Sequence, residues 1–126
     1  MAKPTDSELG ILSILWAEGP QTVRSINDRL NLSSTKHIGY TTTLKFLQLM
    51  LEKGLVSCDK SSRTHIYTAA AEEEKVRQGL VSRIVDQAFR GSAAQLVLQA
   101  LGQSETSADE LAAIKALIEQ KEREQS

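Results

Sequence analysis

Few residues in this chain are spaced for catalysis. His37 and His65 are far apart, and neither has a second metal ligand three or four residues away. Cys58, the only cysteine, has no histidine close in sequence, although a hairpin would bring His65 roughly opposite it. It has two readings, a redox-sensing thiol and a small half-buried strand residue, of which the second is simpler. A single cysteine also excludes an intramolecular disulfide and a cysteine-rich metal site. Glu72-Glu73-Glu74 has the composition of a metal cluster, but consecutive helical residues point in different directions. Three carboxylates suit the first turn of a helix, where the macrodipole favours them. The glycines are dispersed at helix ends and form no phosphate loop. No active site, metal or cofactor is expected.

A different chemistry is suggested by Gly39-Tyr40-Thr41-Thr42-Thr43-Leu44-Lys45, with Lys60 and Arg63 further on. If Tyr40, Thr43, Leu47 and Met50 form the inward stripe of a helix, Thr41, Thr42 and Lys45 face outward, with Gln48 and Leu49 beside them. Hydroxyls and one lysine on an exposed helix face suit the major groove of DNA. Hydroxyls donate to phosphates or read bases, threonine methyls touch thymine methyls, and lysine reaches guanine acceptors or phosphate. Lys60 and Arg63 lie in a polar turn, where they can enter a minor groove or touch the backbone.

The surrounding elements give that segment its meaning. Thr5-Asp6-Ser7-Glu8 fits a capping box, and the helix after it carries Leu9, Leu12, Leu15 and Trp16 on one stripe. Gly19-Pro20 stops it. Thr22 can cap a second, short helix with Val23, Ile26 and Leu30 on one face. Asn31 to Lys36 reads as a polar connector. A third helix is expected from about Ile38 to Lys53, punctuated by Gly54. Two short strands follow, 55–59 and 64–68, joined by the turn Lys60-Ser61-Ser62-Arg63. Three short helices and a hairpin are the order of a winged helix-turn-helix.

Beyond Tyr67 the chain becomes helical throughout. Val76, Leu80, Ile84 and Ala88 repeat at four, widened by Val81, Val85 and Phe89. Ser92 can cap a helix with Leu96, Val97, Ala100 and Leu101. Ser107-Ala108-Asp109-Glu110 is a second capping box, followed by Leu111, Ile114, Leu117 and Ile118. These helices have no sheet to pack on. Symmetric dimerisation is the natural cover for their apolar faces, through Ile84, Leu96, Leu101, Leu111, Ile114 and Ile118. Folding back onto the N-terminal part is the alternative. The expected class is mainly α with a small β-hairpin: a winged helix-turn-helix at 1–70 and a helical dimerisation region at 71–126.

Length and charge fit this division. The 126 residues make one domain, or one small domain with an oligomerisation arm. Aromatic residues at 4% disfavour a base-stacking sheet. The net charge is −1, but residues 23–68 hold 7 Lys and Arg against 3 Asp and Glu. Residues 69–126 hold 7 against 10. A basic middle and an acidic remainder suit a DNA-binding module with a separate association module. No apolar run reaches the length of a membrane span, and the N-terminus has no signal pattern, so a cytoplasmic protein is expected.

Several stretches occur together in one order: Pro4-Thr5-Asp6-Ser7-Glu8-Leu9-Gly10-Ile11-Leu12, Leu15-Trp16, Gly19-Pro20-Gln21-Thr22-Val23-Arg24, Gly39-Tyr40-Thr41-Thr42, Leu47-Gln48, Glu52-Lys53-Gly54-Leu55 and Ile66-Tyr67. As an ordered set they resemble the penicillinase-repressor transcriptional regulators of the BlaI, MecI and CopY type. The match covers about residues 4–101, and the last helix by character only. The resemblance implies a homodimeric winged-helix repressor on a pseudo-palindromic, double-stranded DNA operator. Two departures stand out. Copper-responsive members carry paired cysteines near the C-terminus, and this chain has none there. Members induced by a membrane sensor protease are cut at an Asn–Phe bond, whereas the matching place here is Gln99-Ala100. Phe46 and Leu49 also stand on the outward helix where relatives are usually more polar. That apolar pair favours a rival reading, a winged-helix protein–protein module without DNA binding.

Overall fold

The computed structural model describes residues 3–126. Its first helix, α1 (Asp6–Glu18), opens on the expected capping box. The Glu8 amide donates to the Thr5 hydroxyl at 3.2 Å, and the Glu8 carboxylate accepts from the Thr5 amide at 2.9 Å. Ile11, Leu12 and Leu15 are buried. Ile11 joins the inward stripe, while Leu9 and Trp16 are only half-buried at its margins. The helix ends at Gly19, whose φ of 83° is open to glycine and strained for other residues.

Helix α2 (Val23–Ser33) starts at Thr22, whose hydroxyl accepts from the Ser25 amide at 3.1 Å. It runs three residues into the stretch expected to be a connector. The reason is Asn31. Its carboxamide donates to the Asn27 carbonyl at 3.0 Å, one turn back, and exchanges bonds with Ile38. An asparagine satisfied from within the helix and across the turn does not break the last turn. Helix α3 (Tyr40–Lys53) begins after Gly39, slightly later than expected. Gly54 closes it in the left-handed region, its amide donating to Met50 and Leu51.

The hairpin consists of β1 (Val56–Asp59) and β2 (Ile66–Ala69), antiparallel, with Cys58 opposite Tyr67 and Asp59 opposite Ile66. His65 lies in the loop, outside the ladder, so the expected approach of His65 to Cys58 does not occur. The second strand starts two residues later than expected, and this register gives Cys58 the buried Tyr67 as its neighbour. Gln21 adds a one-residue third partner. Its amide donates to the Tyr67 carbonyl at 3.0 Å, and the Tyr67 amide donates back at 2.8 Å. The segment between α1 and α2 is thereby tied to the wing.

The core of this winged helix-turn-helix is drawn from every element. Ile11, Leu12, Ile26, Leu47, Met50 and Leu55 are essentially sealed from water. One carboxylate is sealed with them. Glu8 is 2% exposed, and the Lys53 ammonium donates to both of its oxygens at 2.7 and 3.0 Å. Burial pushes the Glu8 carboxyl up, but Lys53 and the Thr5 amide and hydroxyl together hold it below its ordinary value. The pair pins the start of α1 to the end of α3.

The chain forms two compact units, one ending at Gly79 and the other running Leu80–Ser126. Helix α4 (Glu73–Ala88) crosses the boundary, with Glu73 and Glu74 in its first turn. In the second unit Arg90 (φ 53°) and Gly91 (φ 83°) turn the chain. Helix α5 (Ala93–Gln103) is capped by Ser92, and α6 (Ala108–Gln125) opens on the capping box of Ser107 and Glu110. Neither α5 nor α6 contains a buried residue. Leu98, Leu117 and Ile118 are at least half exposed. No described helix is long and apolar enough to cross a membrane.

Candidate nucleic-acid interface

Between α3 and the wing runs a groove of about 700 Å³. Its lining combines the apolar Val23, Leu44 and Leu51 with polar and basic side chains. Arg24 enters from the first turn of α2, Tyr40 and Gln48 from α3, and Lys60, Arg63 and His65 from the wing. Three permanent cations line it and no carboxylate does. A concave surface carrying one sign of charge concentrates its field on whatever enters.

Local folding accounts for each position. Arg24 stands two residues after the Thr22 cap, so it leaves the helix at its exposed end. Its guanidinium carbon lies 5.5 Å from the centroid of the Tyr40 ring, within range of a cation–π contact. Lys60 and Arg63 are carried by a loop that is braced at both ends. The Asp59 carboxylate accepts from the Ser61 amide at 2.9 Å, and the Ser62 hydroxyl donates to the Thr64 carbonyl at 2.7 Å. Hydrogen bonds from the Ser61 hydroxyl and amide hold the Asp59 carboxyl below its usual value.

Beside the groove lies the exposed face of α3. Thr41, Thr42, Lys45, Gln48 and Leu49 are on it, while Thr43, Leu47 and Met50 are buried. Of the residues singled out in the sequence, Gln48, Lys60 and Arg63 meet in the groove. Thr41, Thr42 and Lys45 lie on the helix face outside its lining. Two expectations are corrected. Tyr40, expected inward, is 44% exposed. It belongs to the stripe of Thr43 and Leu47 but sits in the first turn, where it lines the groove beside Arg24. Phe46, expected outward, is half-buried.

Arg24, Tyr40 and His65 also belong to this surface. In the sequence Arg24 stands just after a helix cap and Tyr40 opens the Tyr40-Thr41-Thr42 run at a helix start. Neither reveals that α2 and the wing converge on the same groove. Among the described residues, no three His, Cys, Asp or Glu side chains are grouped to hold a metal ion.

The sequence model of the penicillinase repressor family matches residues 4–120. The chain belongs to the penicillinase repressor family. Within it, the transcriptional regulator BlaI of two Mycobacterium tuberculosis strains is 31% identical over 102 residues, covering 78% of this chain and 72% of the relative. A solved structure, the monomeric form of Bacillus licheniformis BlaI in complex with the blaP half-operator, aligns with a TM-score of 0.49 at 22% identity. That alignment covers 58% of this chain and 87% of the other. The family match spans both the winged unit and most of the helical remainder.

Proposed function

We propose that this member of the family is a sequence-specific DNA-binding transcriptional repressor that acts as a cytoplasmic homodimer on a pseudo-palindromic operator. The observation that carries the reading is the groove with Arg24, Lys60 and Arg63 in its lining and no carboxylate. It lies against a helix face of exposed hydroxyls and Lys45. Residues 1–70 bind DNA and residues 71–126 hold the dimer. In the first region Thr41, Thr42, Lys45 and Gln48 approach base edges and nearby phosphates in the major groove, helped by the free amides of the first turn of α3. Lys60 and Arg63 engage the backbone or the adjacent minor groove.

Dimerisation through Ile84, Leu96, Leu101, Leu111, Ile114 and Ile118 is supported by the absence of buried residues in α5 and α6. Apolar faces of that extent need a cover, and a second copy supplies one by two-fold pairing. Repression needs no catalysis, since occupancy of the operator blocks transcription. Induction by a membrane sensor protease is left out of the proposal, because Gln99-Ala100 stands where the cleaved members have an Asn–Phe bond. The protein–protein alternative keeps only Leu49, 41% exposed, since Phe46 is half-buried.

A salt titration tests the reading. Affinity for genomic DNA fragments should fall roughly 10³-fold or more between 50 and 200 mM salt, as six or more phosphate contacts release counterions. Binding that does not weaken with salt would rule out this interface.

A further inference from the structure

We infer that Asn27 and Asn31 are positioning residues for the DNA-reading end of α3, acting through the backbone of Ile38. The inference rests on the DNA-binding reading above. Helices α1, α2, α5 and α6 all begin on a Thr or Ser whose hydroxyl takes an amide of the first turn. Helix α3 begins on Gly39, which has no side chain to do so. Its approach is fixed from α2 instead.

Asn27 and Asn31 are four residues apart and so share one face of α2. The Ile38 amide donates to Asn31 Oδ1 at 2.7 Å. The Ile38 carbonyl accepts from Asn27 Nδ2 and from Asn31 Nδ2, both at 2.9 Å. Asn27 Nδ2 gives its second proton to Thr43 Oγ1 at 2.8 Å, and Asn31 Nδ2 gives its second to the Asn27 carbonyl at 3.0 Å. Both amino groups are therefore fully used. Ile38 is held at its amide and its carbonyl two residues before α3 starts, and Thr43 ties in the end of the first turn.

The Asn27–Thr43 end of the network stands where an apolar pair would serve stability as well, because the Ile38 carbonyl keeps Asn31 as a donor. Asn27 is 8% exposed and Thr43 is fully buried. A buried pair of polar partners replaced together by apolar groups of the same shape costs a fold little. Hydrogen bonds add what apolar packing does not, a direction, because they weaken steeply off line. They set the height and tilt of the first turn, and with it Thr41, Thr42 and Lys45. Base-edge contacts need that geometry. The wing's contacts with phosphate come from long, flexible side chains and depend on it much less.

The test uses the full chain. The tightest 24-base-pair duplex is selected from a randomised pool with the wild type and compared with a scrambled duplex of the same composition. Two variants are made, Asn31→Ala and the paired Asn27→Leu with Thr43→Val. Melting temperature, both affinities and the salt slope are measured on each preparation. The expected result is at least a tenfold loss in the ratio of selected to scrambled affinity. Scrambled-duplex affinity and salt slope should stay within about twofold and half a unit of wild type. If the paired variant does not fold, Asn31→Ala, at a half-buried position, carries the test. A lowered melting temperature with the ratio unchanged for the folded fraction overturns the positioning role and leaves DNA binding standing. A wild type that selects no duplex overturns the DNA reading itself, and this inference with it.

Discussion

Glu8 sets the terms at the scale of a residue. The fold takes a carboxylate out of water and answers it with Lys53, which keeps a third of its own surface exposed. The folded state holds the proton of Glu8 less tightly than the unfolded chain does. Its stabilising contribution is therefore complete above the ordinary carboxylate range and is lost as pH falls through the folded value. Lys53→Met should cost roughly 2 kcal/mol at pH 7, below the range for a fully buried pair because Lys53 is partly screened. Urea melts at pH 7 and pH 3.5 check this: the gap between variant and wild type should narrow in acid, where Glu8 can neutralise. Arg63 is the second case. On a braced loop at the groove, Arg63→Ala should weaken selected and random DNA alike and reduce the salt slope by about one unit. A changed sequence preference at intact random-DNA affinity would instead make Arg63 a base reader. The capping role of Glu8 was legible from the run Thr5-Asp6-Ser7-Glu8. Its bond to Lys53 was not, because 45 residues separate the two and no local period relates them.

Elements were legible to the extent that their signals are local. The caps at Thr5, Thr22, Ser92 and Ser107 and the stop at Gly54 all stand where the residue types put them. The misplacements arose where a distant partner decides. Helix α2 continues to Ser33 because Asn31 is satisfied by Ile38, across the turn. The hairpin register depends on which face of β2 the core takes, and that fixes Tyr67 rather than His65 beside Cys58. The groove depends on α2, α3 and the wing together, so Arg24 and Tyr40 carried no local mark of it. For α3 the decisive measurement is the double change of Thr41 and Thr42 to Ala. Alanine is the better helix former, and α3 has no side-chain cap to lose, so the melting temperature should hold or rise. Affinity for the selected duplex should fall by roughly 1–3 kcal/mol if base contacts go. A drop in stability with unaltered affinity would show that the pair serves the helix and not the DNA.

At the scale of the molecule, the two units differ in how they are stabilised. The winged unit contains its own core, whereas α5 and α6 hold no buried residue. The proposed cover is a second copy. Leu111→Asp with Ile114→Asp would place charges where an apolar contact is expected, each costing several kcal/mol if buried there. By analytical ultracentrifugation the variant should sediment as a monomer, and it should lose most of its affinity for a two-half-site duplex. A wild type that is monomeric at micromolar concentration would remove the dimer from the proposal. The amphipathic pattern marks an apolar stripe on these helices. It holds no information on which surface covers that stripe, since an apolar stripe specifies burial and not a neighbour.

Trp16 offers an experimental handle on all of this. It is the only tryptophan, and its indole N–H donates to the carbonyl of Ala71 at 3.0 Å, across 55 residues of sequence. The ring is half-buried at the seam where the segment leading into α4 meets α1. Indole emission shifts with polarity, so the unmodified protein carries a fluorophore at the point where the winged unit closes. A red shift that precedes the loss of helical circular dichroism during denaturation would show the seam opening before the helices melt. A shift on adding duplex would show that occupation of the groove is felt at this seam.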